Sequence, residues 1–281
     1  MALGSQGPET PAKRRRTTRC HTNESLREFL EKNKGDIERG RILIADLDVS
    51  RVTDMSKLFL GWGSFNRPLE WNTSAVTNMS STFEGCSSFN QPLKWDTSAV
   101  TNMAFMFIRC SSFNQPLEWK TGSVTDMGFM FNGCERFNQP LEWETRYVED
   151  MSCTFSGCSS FNQLLKWNTG SVKNMRHMFS LCSSFNQSLV WDTRQVTNMT
   201  SMFYYCSDLV STLFFAMRGV SADSKLEMLA ECGAGAEVQD ISADLIDSGF
   251  SVADIRGLDL DNHRQTSFGI YHYYTPRVYL V

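Results

Sequence analysis

The parts of this 281-residue sequence that could carry chemistry are nine cysteines, a recurrent asparagine and one compact run of basic residues. Six cysteines, Cys86, Cys110, Cys134, Cys158, Cys182 and Cys206, stand 24 residues apart. Thiols at one fixed step suggest disulfides or metal ligands. Equivalent side chains on stacked units point the same way rather than at each other, which is wrong for a disulfide. No Cys-x-x-Cys pair offers zinc its usual spacing. Trp62 stands one step before Cys86, in a cysteine's place, so this position predicts apolar packing of buried, reduced thiols. The histidines, His21, His177, His263 and His272, share no spacing that builds a metal or catalytic centre. No glycine-rich phosphate loop follows a strand-like segment. These patterns predict no enzyme, no cofactor and no metal site; a hydrolase or transferase confined to residues 207–281 is the enzymatic alternative.

Asn66, Asn90, Asn114, Asn138, Asn162 and Asn186 each follow a phenylalanine at the same step. They are expected to form an internal ladder that satisfies backbone groups, because buried polar atoms need such partners. Lys13, Arg14, Arg15 and Arg16 form a basic cluster that reads as a candidate nuclear-import signal, against the alternative of a solvated tail.

A repeat must position all of this. Trp71, Trp95, Trp119, Trp143, Trp167 and Trp191 keep the 24-residue step, as do Met55 to Met199 and Phe59 to Phe203. Six coils run from Leu47 to Val190, and a partial one ends near Cys206. Val76, Met79 and Phe83, spaced three and four apart, predict one face of a short helix, with Asn78 and its equivalents as N-caps. Leu69 and Trp71, two apart and led in by Pro68, predict one face of a strand. The coil thus reads as strand, turn, short helix and return. A single coil cannot bury its own apolar face, so stability belongs to the array.

The pattern Val-Thr-Asn-Met-Ser-x-x-Phe-x-x-Cys-Ser-Ser-Phe-Asn-Gln-Pro-Leu-x-Trp-Asp-Thr-Ser resembles the BspA-type leucine-rich repeat of bacterial surface proteins, in the variant common in mycoplasma lipoproteins. The resemblance covers Leu47 to Cys206. It implies an α/β solenoid, a leucine-rich-repeat-like, right-handed coil stack with parallel strands on one side, short helices on the other and helical caps. It also implies adhesion or interaction without enzymatic activity, and a place at the cell surface.

The ends divide the chain further. Residues 1–23 read as a disordered basic tail and 24–46 as an N-terminal helical cap. That cap opens on a capping box at Ser25 to Glu28 and closes near Gly35. Residues 47–206 form the repeat, and 207–281 form a C-terminal cap or small module. Charge is uneven. Residues 1–20 hold five basic side chains and one acid, whereas 207–281 hold five basic and eleven acidic ones. A net charge of −4 without a basic stripe disfavours nucleic acid. No segment is long and apolar enough to span a bilayer. The start of the sequence lacks an apolar export segment, so an intracellular place, cytoplasm or nucleus, is expected, with the surface as the alternative.

What remains for a partner is the outward position between Leu and Trp: Glu70, Lys94, Glu118, Glu142, Lys166 and Val190, with Asn72, Asp96, Lys120, Glu144, Asn168 and Asp192 beside it. This mixed, mildly acidic strip suits a protein. Two rims depart from the repeat's own consensus, at Glu135-Arg136 and at Arg146-Tyr147. Arginine and tyrosine are the types that carry interface affinity. The expected function is therefore a protein-interaction scaffold whose partner residues are Arg136, Arg146, Tyr147, Glu118, Glu142 and Lys166. A cell-surface or virion-surface adhesin is the alternative, and the sequence sets no oligomeric state.

Overall fold

The computed structural model describes residues 20–209. The basic cluster Lys13–Arg16 and the C-terminal region beyond residue 209 lie outside them. Within them the chain returns onto itself every 24 residues. Parallel bridges join Asp54 to Asn78, Asn78 to Asn102, and so on to Asn174 and Asn198.

The backbone hydrogen bonds explain this register. The amides of Met55, Lys57, Phe59 and Gly61 donate to the carbonyls of Asn78, Ser80, Thr82 and Glu84 in the next coil, at 2.7–3.0 Å. The amides between them turn back: those of Leu58, Leu60 and Trp62 donate to Met55, Lys57 and Phe59 of their own coil. Alternate amides therefore stitch coils together while the others close β-turns, and the same arrangement recurs from Met79 onward. This accounting leaves none of these backbone donors unpaired, as burial requires.

The short helix expected in each coil is not formed. Its place is taken by consecutive turns, and in alternate ones the third residue has positive φ, as at Ser81 at 54° and Gly85 at 76°, the requirement of a type II turn. Bonds from residue i to i+3 give the same facing as a helical turn, so Val76, Met79 and Phe83 are still fully buried. The parallel pairing also lies elsewhere than expected. It sits on Thr-Asn-Met, while the Leu-x-Trp segment is joined to its neighbour chiefly through side chains. The Trp95 indole donates to the Leu69 carbonyl at 3.2 Å and the Trp119 indole to that of Leu93 at 3.1 Å. Glycine at position 85 serves two ends: its φ is positive, and an added Cβ would lie 3.4 Å from the Gly61 Cα. Phe105 and Phe129 hold φ of 62° and 59° without that freedom, at a cost of about 1–2 kcal/mol each.

Inside the coils run aromatic columns. The rings from Phe59 to Phe203 stack 5.4–5.6 Å apart and within 9° of parallel. A second column descends from Phe65 to Phe185. Trp71 stacks on Trp95, and Trp143 on Trp167.

One helix, α1 (Asn23–Glu38), closes the first coil with Leu26, Leu30 and Ile37. Its cap is Thr22, not Ser25. The Thr22 amide donates to the Ser25 hydroxyl at 2.9 Å, and the Ser25 amide donates back to the Thr22 hydroxyl. The expected box is therefore displaced by one turn, because serine serves as well at the third helical position as at the cap. The helix also passes through Gly35 and ends at Arg39, with Gly40 at φ 74°.

This helix imitates a coil. In the repeat, the amides of Thr77 and Asn78 reach the Thr53 carbonyl. At the first coil the Asn23 side-chain oxygen takes the amides of Thr53 and Asp54, at 3.0 and 3.2 Å. Arg27 donates to the carbonyls of Asp54 and Ser56, and its guanidinium lies 3.4 Å from the Asp54 carboxylate. Replacing both Asn23 and Arg27 by alanine should lower the unfolding free energy by about 2 kcal/mol, read from the denaturation midpoint. It should also bring concentration-dependent association, visible by light scattering, because a parallel edge is uncovered. An unchanged midpoint would show that the apolar face of α1 closes the end alone.

Candidate interaction surface

Most recurrent polar side chains are spent on the stack itself. The Asn90 side-chain oxygen accepts the Asn114 amide at 2.9 Å and the Gln115 side-chain amide at 3.1 Å, and the series repeats from Asn66 to Asn162. The asparagines thus form the internal ladder expected of them. Asp54, Asn78, Asn102 and their equivalents accept the amide two residues ahead, as at Asn78 from Ser80 at 3.0 Å. They cap turns where a helix cap was expected. Buried Thr97 and Thr121 donate to carbonyls of the following coil.

The cysteines belong to this scaffold. Cys86, Cys110, Cys134, Cys158, Cys182 and Cys206 are fully buried, and each thiol donates to a phenylalanine carbonyl of the preceding coil at 2.9–3.1 Å. Burial pushes the Cys86 and Cys206 thiols up to about 12 and the Cys110, Cys134 and Cys182 thiols well above their ordinary value. Among the described residues no group of three His, Cys, Asp or Glu could hold a metal ion, and no helix is long and apolar enough to cross a membrane.

The strip is different. Glu70, Lys94, Glu118, Glu142, Lys166 and Val190 are all exposed, each set between a buried leucine and a buried tryptophan. In the neighbouring row Asn72, Asp96, Lys120, Glu144 and Asn168 are exposed, and Asp192 is half-buried. Two hydrogen bonds from Ser98 hold the Asp96 carboxyl below its usual range. Among the described residues no ion pair ties a lysine of either row to an acid of either row. The rim residues Arg136, Arg146 and Tyr147 are exposed too. The Arg146 guanidinium stands 4.7 Å from the Tyr147 ring centroid, so the structure brings these two together.

Sequence reasoning missed another exposed feature. Phe105 and Phe129 stack face to face on the outside of adjacent coils, with centroids 5.0 Å apart. The signal lay in the repeat itself: Lys57, Ser81 and Ser201 occupy the equivalent positions.

No curated protein and no solved structure matches this chain. A repeat-containing family described as "Mycoplasma protein of unknown function, DUF285" matches residues 25–142 and 141–217, the greater part of the sequence. The chain belongs to that family.

Proposed function

We propose that this protein is a non-enzymatic interaction scaffold, a solenoid of the BspA-like leucine-rich-repeat kind that binds a protein partner through its charged strip. One observation carries the reading. The recurrent polar side chains of the stack are engaged in internal bonds, whereas Lys94, Glu118, Glu142 and Lys166 are exposed with no ion-pair partner among the described residues. Charges left unpaired in a regular row are disposed to steer and orient a complementary surface. The thiol ladder donates hydrogen bonds and so needs reduced sulfur, which supports an intracellular place.

The test compares two forms of the full chain as bait. Glu118→Lys with Glu142→Lys should lose the partners that the unaltered chain retains. For a purified partner, Arg136→Ala and Tyr147→Ala should each weaken binding by more than about 1 kcal/mol. Ser87→Ala and Ser98→Ala should not. Identical retention by the charge-reversed chain would remove the strip from the interface.

A further inference from the structure

The stacked phenylalanines lie half a coil along the chain from the strip, and three departures from the repeat meet there. First, Phe105 is 39% exposed and Phe129 half-buried, both at positive φ. Their side chains add nothing to the core, so packing does not account for two aromatic rings in strained backbone. Ile108, whose amide donates to the Phe105 carbonyl at 3.2 Å, is half-buried one turn on.

Second, Asp126 and Asp150 are the one pair of acids on adjacent coils in a column that otherwise carries Asn78, Asn102, Asn174 and Asn198 beyond Asp54. The Asp126 carboxyl is raised by burial and by the neighbouring Asp150 charge. Asp150 accepts from the Asn174 side-chain amide at 3.1 Å. Among the described residues neither acid has a cation within ion-pair distance. Third, Gly128 stands where other coils carry Ser56, Ser80, Ala104, Ser152, Arg176 or Thr200, and is the one position of that row without a Cβ. A Cβ there would lie 3.3 Å from a carboxylate oxygen of Asp126, 3.3 Å from one of Asp150 and 3.4 Å from the Ser152 hydroxyl. Each half-buried carboxylate also caps its own turn, Asp126 Oδ1 accepting the Gly128 amide at 2.9 Å and Asp150 Oδ1 the Ser152 amide at 2.7 Å, which leaves the second oxygen of Asp126 and the remaining lone pairs of Asp150 for a cation. Arg109 lies beyond Ile108, with its Cγ 3.6 Å from the Cβ position of Gly133.

The molecule shows how this column receives a cation. Asp54, its first acid, is met by the Arg27 guanidinium of α1 at 3.4 Å at the end of the stack, where no coil precedes it; Asp126 and Asp150 have a coil on either side, so a cation would reach them from outside the stack. We infer that Phe105, Phe129, Asp126 and Asp150 form a second docking surface, one that takes an arginine side chain of a protein partner. Its planar guanidinium lies along the aromatic pair, and its forked donors reach the two carboxylates. A guanidinium stacks on aromatic faces and presents paired donors, where an ammonium is a point charge.

The repeat supplies substitutions that its own coils already tolerate. Phe105→Ser with Phe129→Ser copies Ser81 and Ser201, and Asp126→Asn with Asp150→Asn copies Asn78 and Asn102. Fluorescein-labelled Gly-Arg-Gly-Arg-Gly, titrated with the full chain and followed by anisotropy, should bind saturably. It should bind at least about threefold tighter than the lysine peptide, and the glutamate peptide should not bind. Each double variant should weaken the arginine peptide about tenfold, while Glu118→Gln with Glu142→Gln leaves it unchanged. Absence of binding, equal affinity for lysine and arginine, or full affinity in either double variant would overturn the proposal. Loss of binding only in the Glu118/Glu142 variant would do so as well, since it would assign the peptide to the strip.

Discussion

Phe131→Ala should cost about 4 kcal/mol and split unfolding into two transitions. The ring is fully buried at the middle of the stack. It lies 5.6 Å from Phe107 above and 5.6 Å from Phe155 below, and contacts Phe137 at 4.3 Å and Trp143 at 6.1 Å. Truncating a buried phenylalanine costs about 3–5 kcal/mol through lost transfer energy and the cavity left behind. In a linear array each coil is stabilised mainly by its neighbours, so a defect at the centre weakens the coupling between two halves as well as one coil. Urea unfolding followed by tryptophan fluorescence should show the separation. A single transition shifted by less than about 1 kcal/mol would mean that the backbone ladder, not the aromatic column, transmits cooperativity.

Stability should also fall steeply above about pH 9. The native state keeps Cys86 and Cys206 protonated to about 12, against an ordinary 9.0. Between those values the unfolded chain has released these protons and the folded chain has not, so the native state binds more protons and rising pH favours unfolding. The contribution is complete below 9.0 and lost as pH climbs toward about 12. Each such thiol withdraws on the order of 1 kcal/mol per pH unit, and Cys110, Cys134, Cys158 and Cys182 shift the same way. Urea midpoints at pH 8, 9 and 10 measure the slope. Cys110→Ala with Cys134→Ala should flatten it relative to the unaltered chain. An identical slope in that variant would assign the loss to other groups.

The 24-residue step was fully legible, because identical residues must stack on identical residues. Column after column, from Phe59 to Phe203 and Asn66 to Asn162, the chain meets itself in that register. The conformation within the step was less legible. Val76, Met79 and Phe83 share a face in a helix and equally in a chain of turns bonded from i to i+3, so hydrophobic spacing cannot separate the two. The deciding signal was glycine at Gly61, Gly85, Gly133 and Gly157, where φ is positive, a value that ends a helix within a turn. The strip was legible as exposed alternation around buried leucine and tryptophan. The Phe105–Phe129 pair was hidden because phenylalanine reads as core wherever it falls, and only its row-mates Ser81 and Ser201 reveal an outward position.

The ladder at Met55, Lys57, Phe59 and Gly61 has a mechanical side. Its bonds join coils rather than distant parts of one coil, so a load applied along the stack draws on one interface at a time, the outermost first. Each detached coil releases 24 residues of chain, about 80 Å of slack at full extension, where it had spanned only the thickness of one layer. Tension would thus lengthen the array in equal steps, each leaving the remaining coils intact and able to rewind.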